Sequence, residues 1–176
     1  MDLLDFEAQG LYFEEPDVAG VKELIDTAAG LYANGEAELP LMKAYFKAPE
    51  SLNVLVALNR FYYYQHRLEE ALAATTKALV IIRPTIAFPE DWRELQLSHI
   101  TNAPATLFTQ VRLYLFTLKA IGFLNMRLER LDLSQGIFEK LISLDSKDRL
   151  GVKGLLELVI QRKSEQTNNL MGARAC

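Results

Sequence analysis

At 176 residues, 50% of them hydrophobic, the chain has enough apolar material for one compact domain and lies far from a disordered composition. A net charge of −4 argues against binding nucleic acid without sequence preference. A single cysteine, Cys176, excludes an internal disulfide and fits a reducing, cytoplasmic setting. No positive region opens MDLLDFEAQG, so no secretory signal is expected there. No apolar run approaches the roughly 20 residues that span a bilayer, so no membrane partner is expected.

The charge is uneven. Residues 1–50 carry eleven acids against Lys22, Lys43 and Lys47, whereas the other 126 residues carry 12 acids and 16 bases. A solvated acidic tail is one reading. The other is that the acidic end docks on a basic partner, or screens a positive groove until a partner displaces it.

In chain order, residues 1–15 mix acids with Leu3, Leu4, Phe6, Leu11, Tyr12 and Phe13 and read as an ordered arm or short helix. Pro16 suits a first helical turn, and the helix it opens runs to about Ala33, where Asn34-Gly35 supplies a left-handed stop. A second helix runs from about Glu36 to Lys47, with Pro40 in its first turn. Ser51 is placed as the N-cap of a third. Leu55, Leu58 and Tyr62 then mark one apolar stripe. After a polar break at Gln65-His66-Arg67, Leu68, Ala71, Leu72, Ala78 and Leu79 mark another, ending at Pro84. Ala71 is expected where two helices meet, and Ala74 off that contact. Pro89-Glu90-Asp91 reads as the start of a short helix to about Ile100. One long helix is expected from Ala105 to Glu129, its N-terminal half packed on the segment before it. A partner helix runs from Asp132 to Leu144. A last helix spans Lys147 to Arg162, covering the open end of the stack.

The spacing repeats. Ala37 and Ala44 lie 34 residues before Ala71 and Ala78, while Ser134 lies 63 residues after Ala71, an insertion of 29. These positions resemble the tetratricopeptide repeat, a helix pair of 34 residues. In the second copy the family's places fall on Leu55, Leu58-Asn59, Tyr62, Ala71, Thr75, Ala78 and Arg83-Pro84. Asn59 and Thr75 depart from the expected Gly and aromatic residue. The third copy supplies Leu118, Ile121-Gly122, Ser134, Phe138 and Leu141.

The resemblance implies an all-α, right-handed superhelix of about three hairpins, with a helical insertion and a C-terminal capping helix. On this reading a single domain spans residues 1–163. Its repeats fall at about 16–49, 51–84 and 115–148, the insertion at about 85–114 and the capping helix at 147–162, with a flexible tail at 164–176. FLNMRLERLDLSQGIFEKLISLDSKDRLG is also similar to small bacterial tetratricopeptide proteins that accompany nitrogenase.

No catalytic constellation stands out. His66 and His99 are far apart in sequence with no metal-ligand spacing around them. Gly151-Val152-Lys153-Gly154 lacks the second half of a phosphate loop. Neither enzyme activity nor a cofactor or metal is expected. In the resembled family the inner face of each first helix lines a concave groove that binds another protein. Carried across by repeat position, that face holds Lys22 and Asp26; Asn53, Val56, Arg60, Tyr63 and Tyr64; and Phe116, Lys119, Phe123, Met126 and Arg127. Trp92 in the insertion is the alternative surface. The expected function is an accessory or assembly factor that holds an immature or damaged metalloenzyme component such as nitrogenase. The alternatives are a chaperone for a secreted protein of the type III class, and an enzyme with a pocket at the insertion.

Overall fold

The computed structural model describes residues 18–32 and 35–174, with side chains through Asn168. Among them lie eight α-helices and no strand: α1 (Val21–Leu31), α2 (Glu38–Lys47), α3 (Leu52–Tyr64), α4 (Leu68–Thr85), α5 (Leu97–Thr101), α6 (Phe108–Arg127), α7 (Leu131–Leu144) and α8 (Lys153–Arg174). The fold is all-α. The expectations for the N-terminal arm, Pro16, Asn34 and Cys176 fall outside the described residues.

Short turns fold α1 on α2, α3 on α4 and α6 on α7, and the pairs meet through α2 with α3 and α4 with α6. Within each pair a small residue at the start of the second helix, its N-cap Ala37 in the first pair and Ala71 and Ser134 in the others, is fully buried. One turn on lie Leu41, Thr75 and Phe138, then Ala44, Ala78 and Leu141, all buried and related by the same offsets of 34 and 63.

The turns repeat as well. His66 (φ 57°) and Glu129 (φ 59°) are left-handed, and the next residues, Arg67 and Arg130, donate their backbone N–H to Tyr62 O and Asn125 O, both at 2.9 Å. Each arginine then reaches back to the first turn of the preceding second helix, Arg67 to Glu38 at 2.7 Å and Arg130 to Glu69. Both pairs are half-exposed, and exposed pairs contribute about 0–1 kcal/mol, so they set register more than stability.

The two departures from the repeat pattern compensate each other. In the third hairpin Gly122 lets Phe138 lie against α6: an added Cβ would sit 2.6 Å from Phe138 Cε1 and 3.0 Å from Ile137 Cγ2. Ser134 Oγ donates to Gly122 O at 2.8 Å. In the second hairpin the Asn59 side-chain amide donates to Thr75 Oγ1 and, at 3.2 Å, to Ala71 O, while Thr75 Oγ1 donates to the same carbonyl at 2.7 Å. A large side chain on the first helix and a small one on the second replace the reverse arrangement, and the buried hydroxyl is satisfied.

Several boundaries differ from expectation. Ser51 does cap α3, its Oγ accepting from Val54 N at 3.4 Å. Ala74 is not off the contact but buried beside Ala71. α4 runs through Pro84 to Thr85, because proline in a last turn forgoes only one bond, and Ile86, Ala87 and Phe88 N–H groups close on Arg83 and Pro84 carbonyls. The helix expected from Pro89 is instead a 3-10 turn at Trp92–Glu94, capped by Asp91, followed by α5. Leu95, buried and extended between them, is pinned into the core, and Lys140 Nζ donates to its carbonyl at 3.2 Å.

The insertion runs from Ile86 to Leu107. Phe88 and Ile100 enter the core from it, and Phe88 meets Tyr114 edge-on at 5.1 Å, so the N-terminal end of α6 packs on the insertion. α8 starts at Lys153, not residue 147. Buried Asp145 accepts from Leu150 N at 2.7 Å, and Asp148 accepts from Val152 N and Lys153 N, which holds residues 145–152 as a loop and caps the helix. α8 then continues to Arg174 where a flexible tail was expected after residue 163. No proline interrupts it, Gln161 pairs with Glu165, and Lys163 and Gln166 bond to Asp132 and Glu129.

α6 joins two apolar clusters. Most of its buried residues lie in the larger one, with Ile82, Phe138, Leu141 and Val159. Leu124 belongs to the smaller one, formed with α1 to α4. With the turn before it, Ala105–Arg127 is long and apolar enough by length and composition to cross a bilayer, contrary to expectation. Its packing on α4 and α7, with half of its most apolar stretch buried, accounts for that hydropathy.

Gly122→Ala is expected to lower stability. Overpacking against Phe138 costs about 1–3 kcal/mol, more than the gain of under ~1 kcal/mol from removing a helical glycine. Gly154→Ala, with nothing within 4 Å of the added Cβ, should be neutral or slightly stabilising in the same urea titration. Gly122→Asn combined with Phe138→Thr should lose less than the sum of the single changes, by about 0.5–3 kcal/mol of coupling.

Candidate functional site

α3 and α6 place a run of rings and cations side by side. The last turn of α3 carries Tyr63 and Tyr64, whose centroids are 5.5 Å apart, and Tyr63 meets Phe123 of α6 at 5.9 Å. One turn further along α6, Arg127 Nη1 donates to Tyr63 Oη at 3.4 Å. Tyr64 projects outward, 62% exposed. Exposed Arg60 lies one turn before it, and its charge reaches Tyr32 at the end of α1, whose hydroxyl donates to Ala57 O at 3.3 Å. Burial raises the Tyr32 pKa and Arg60 opposes the rise. Tyr32 lies outside the positions carried over from the repeat. The signal that could have found it is an aromatic just before a helix stop, where the ring can fold under the next helix.

Lys119 departs most from expectation. Its Nζ donates to Leu150 O and lies 5.8 Å from the half-buried Phe116 ring, so it ties α6 to the loop before α8. Burial lowers its pKa, with Asp148 opposing. Met126, expected on the groove, is buried in the core. Lys22 and Asp26 pair with each other at 2.7 Å on the exposed face of α1, Asn53 is half-buried in the first turn of α3, and Val56 is exposed. Trp92 lies away from these residues: Arg93 stacks on its ring at 4.4 Å, and its edge lies against Gly136 of α7. Arg112, half-buried on α6, was missed. It stands seven residues before Lys119, so extending the stripe of Phe116, Lys119 and Phe123 by one turn would have found it.

The histidines have local roles. His99 Nδ1 accepts from Gln96 N at 3.0 Å and its ring lies 6.1 Å from Phe88, while His66 forms the left-handed turn after α3. Surface clefts run along α4, past Leu72, Thr76 and Val80, and between α7 and α8, past Gln135, Ile160 and Lys163.

Over 165 residues, 94% of this chain and 92% of the relative, 39% of residues are identical to the uncharacterized 19.8 kDa protein in nifW 5'region of Azotobacter chroococcum mcd 1. The chain belongs to that protein's family. No family model matches the chain, and no solved structure matches it. Family membership thus spans the three hairpins, the insertion and most of α8 together, and the ring and cation cluster lies inside the shared length.

Lys119→Ala is expected to destabilise by about 1.5–3 kcal/mol, the range for a hydrogen bond to a charged group. Arg60→Ala should stay within about 0.5 kcal/mol. Urea denaturation of the two variants distinguishes an anchoring lysine from a solvent-facing arginine.

Proposed function

We propose that this chain is a non-catalytic accessory or assembly factor that binds another protein, through the face formed by α3 and α6. The observation that carries the reading is the charge of those two helices. Together they hold Arg60, Arg112, Lys119 and Arg127 and not one Asp or Glu, beside Tyr63, Tyr64, Phe116 and Phe123. Such a face suits an acidic, partly aromatic segment, since rings supply contact area at low entropic cost and guanidinium groups pair with carboxylates. The hairpins are read as the right-handed superhelix of tetratricopeptide proteins, with this face concave. The relative's place in the nifW 5' region favours a nitrogenase component as the protein held, and a cytoplasmic place of action.

The test is affinity capture from an extract of nitrogen-fixing cells, read by mass spectrometry. Arg60→Glu with Arg127→Glu should keep the helical fold and lose roughly 1–2 kcal/mol of stability, chiefly from the Arg127–Tyr63 hydrogen bond and the reversed charge at the α6 C-terminus. It should lose most of the captured protein, because a charge contact buried at an interface is worth about 2–5 kcal/mol. Lys119 is left intact because it anchors the α8 loop. Rising salt should weaken capture by the parent in the same direction. Undiminished capture by the double variant would place the binding surface elsewhere, with Trp92 the next residue to change.

A further inference from the structure

Two places on each second helix correspond through the offsets of 34 and 63. They hold Leu39 and Phe46 in α2, Ala73 and Val80 in α4, and Gly136 and Ser143 in α7. In α7 the chain covers the first place itself, since an added Cβ at Gly136 would stand 3.5 Å from the Trp92 ring. In α2 and α4 these places are open and apolar: Leu39 is 64%, Phe46 78% and Val80 56% exposed, and Ala73 is exposed beside them. Glycine and serine serve the same places in α7, so hairpin packing does not call for side chains of this size. Large apolar groups exposed together mark a contact surface.

The charges around that surface say what it fits. α2 and α4 run side by side in the same direction. Arg67, the N-cap of α4, reaches Glu38 in the first turn of α2 at 2.7 Å, and further along Lys77 Nζ donates to Tyr45 Oη at 2.8 Å. Acids therefore gather at one end, where Glu36, Glu38, Glu69 and Glu70 outnumber Arg67 and Arg130. Bases gather at the other, where Lys43, Lys47, Lys77 and Arg83 outnumber Glu50. Among the described residues Lys43, Lys47 and Lys77 pair with no carboxylate.

A twofold axis across the two helices reverses this order on a second copy. With Leu39 set opposite Phe46 of that copy, the same antiparallel register brings Glu38 opposite Lys47, Ala73 opposite Val80 and Glu70 opposite Arg83. Apolar meets apolar and acid meets base along both helices. Glu38 accepts from Arg67 through Oε1, which leaves Oε2 for a second donor. Lys47 donates to Ala19 O at 3.5 Å and has two further hydrogens to give. We propose that the outer face of α2 and α4 binds a second copy of this chain in a twofold, antiparallel dimer. The α3–α6 face is a separate surface built from first helices, so the dimer presents it twice.

Sedimentation equilibrium of the full chain tests this. The parent should sediment at twice the chain mass, with Phe46→Ser and Lys47→Glu each weakening the dimer about tenfold or more. Adding Glu38→Lys to Lys47→Glu should recover most of that loss, because the reversed charges meet again across the axis. Val56→Ser, at an exposed place on α3, should leave the dimer unchanged. Circular dichroism should show the parent's helix content in every variant. Monomer at all concentrations would overturn the proposal. So would a dimer indifferent to Phe46→Ser, or a Lys47→Glu defect that Glu38→Lys does not relieve. No partner protein is present in this experiment, so its failure leaves the capture experiment to judge the α3–α6 face on its own.

Discussion

Everything in this fold depends on how closely the two helices of a hairpin approach. At the start of each second helix stands Ala37, Ala71 or Ser134, fully buried, because a larger side chain there would push the helices apart. The large residue that fills the remaining space is free to come from either side. In the third hairpin it is Phe138 against Gly122, and in the second it is Asn59 against Thr75. The first has Leu41 fully buried at the Phe138 place, with Ile25 at the Gly122 place packed against the same cluster. Interiors are packed at nearly constant density, so what is preserved is the volume of the pair and not the identity of either member. The cost of the polar solution is met locally, since Thr75 and Asn59 bond to each other and to Ala71 O.

With the crossings set, the turns decide register. His66 and Glu129 adopt a left-handed conformation that non-glycine residues seldom take, and the arginine after each one reaches the preceding helix of the same layer. The insertion between the second and third hairpins does not break this arrangement, because α4 still packs directly on α6. The extra residues are absorbed to one side. Phe88, Leu95 and Ile100 anchor them in the cluster that α6 and α7 already form.

Much of this was legible in the chain. The offsets of 34 and 63 predicted which small residues would be buried, and two apolar stripes located α3 and α4. What was not legible depended on contacts distant in sequence. Leu95 gives no sign that it will be drawn inward and split a helix, and α8 continues past Arg162 because α7 offers Asp132 and Gln135 to Lys163. At the candidate site, position within the repeat placed Arg60, Tyr63, Tyr64, Phe123 and Arg127 together. It could not show that Lys119 turns to the Leu150 carbonyl, since that partner sits 31 residues away in a loop.

The segregation of charge follows from the same architecture. First helices α3 and α6 are flanked by other helices and buried on most sides, so few of their positions remain open to charge at all. In the second helices the carboxylates lie in the first turns of α2 and α4 and on α7; in the first turns helix N-termini favour negative charge, and turn arginines reach Glu38 and Glu69. Arg60 and Arg127 are left with positive charge that no carboxylate among the described residues pairs. At solvated positions this costs little in water, so stability does not select against it. A face so arranged gains from any acidic segment that covers it, and the gain is largest where the rings of Tyr63, Tyr64 and Phe123 exclude water from the contact.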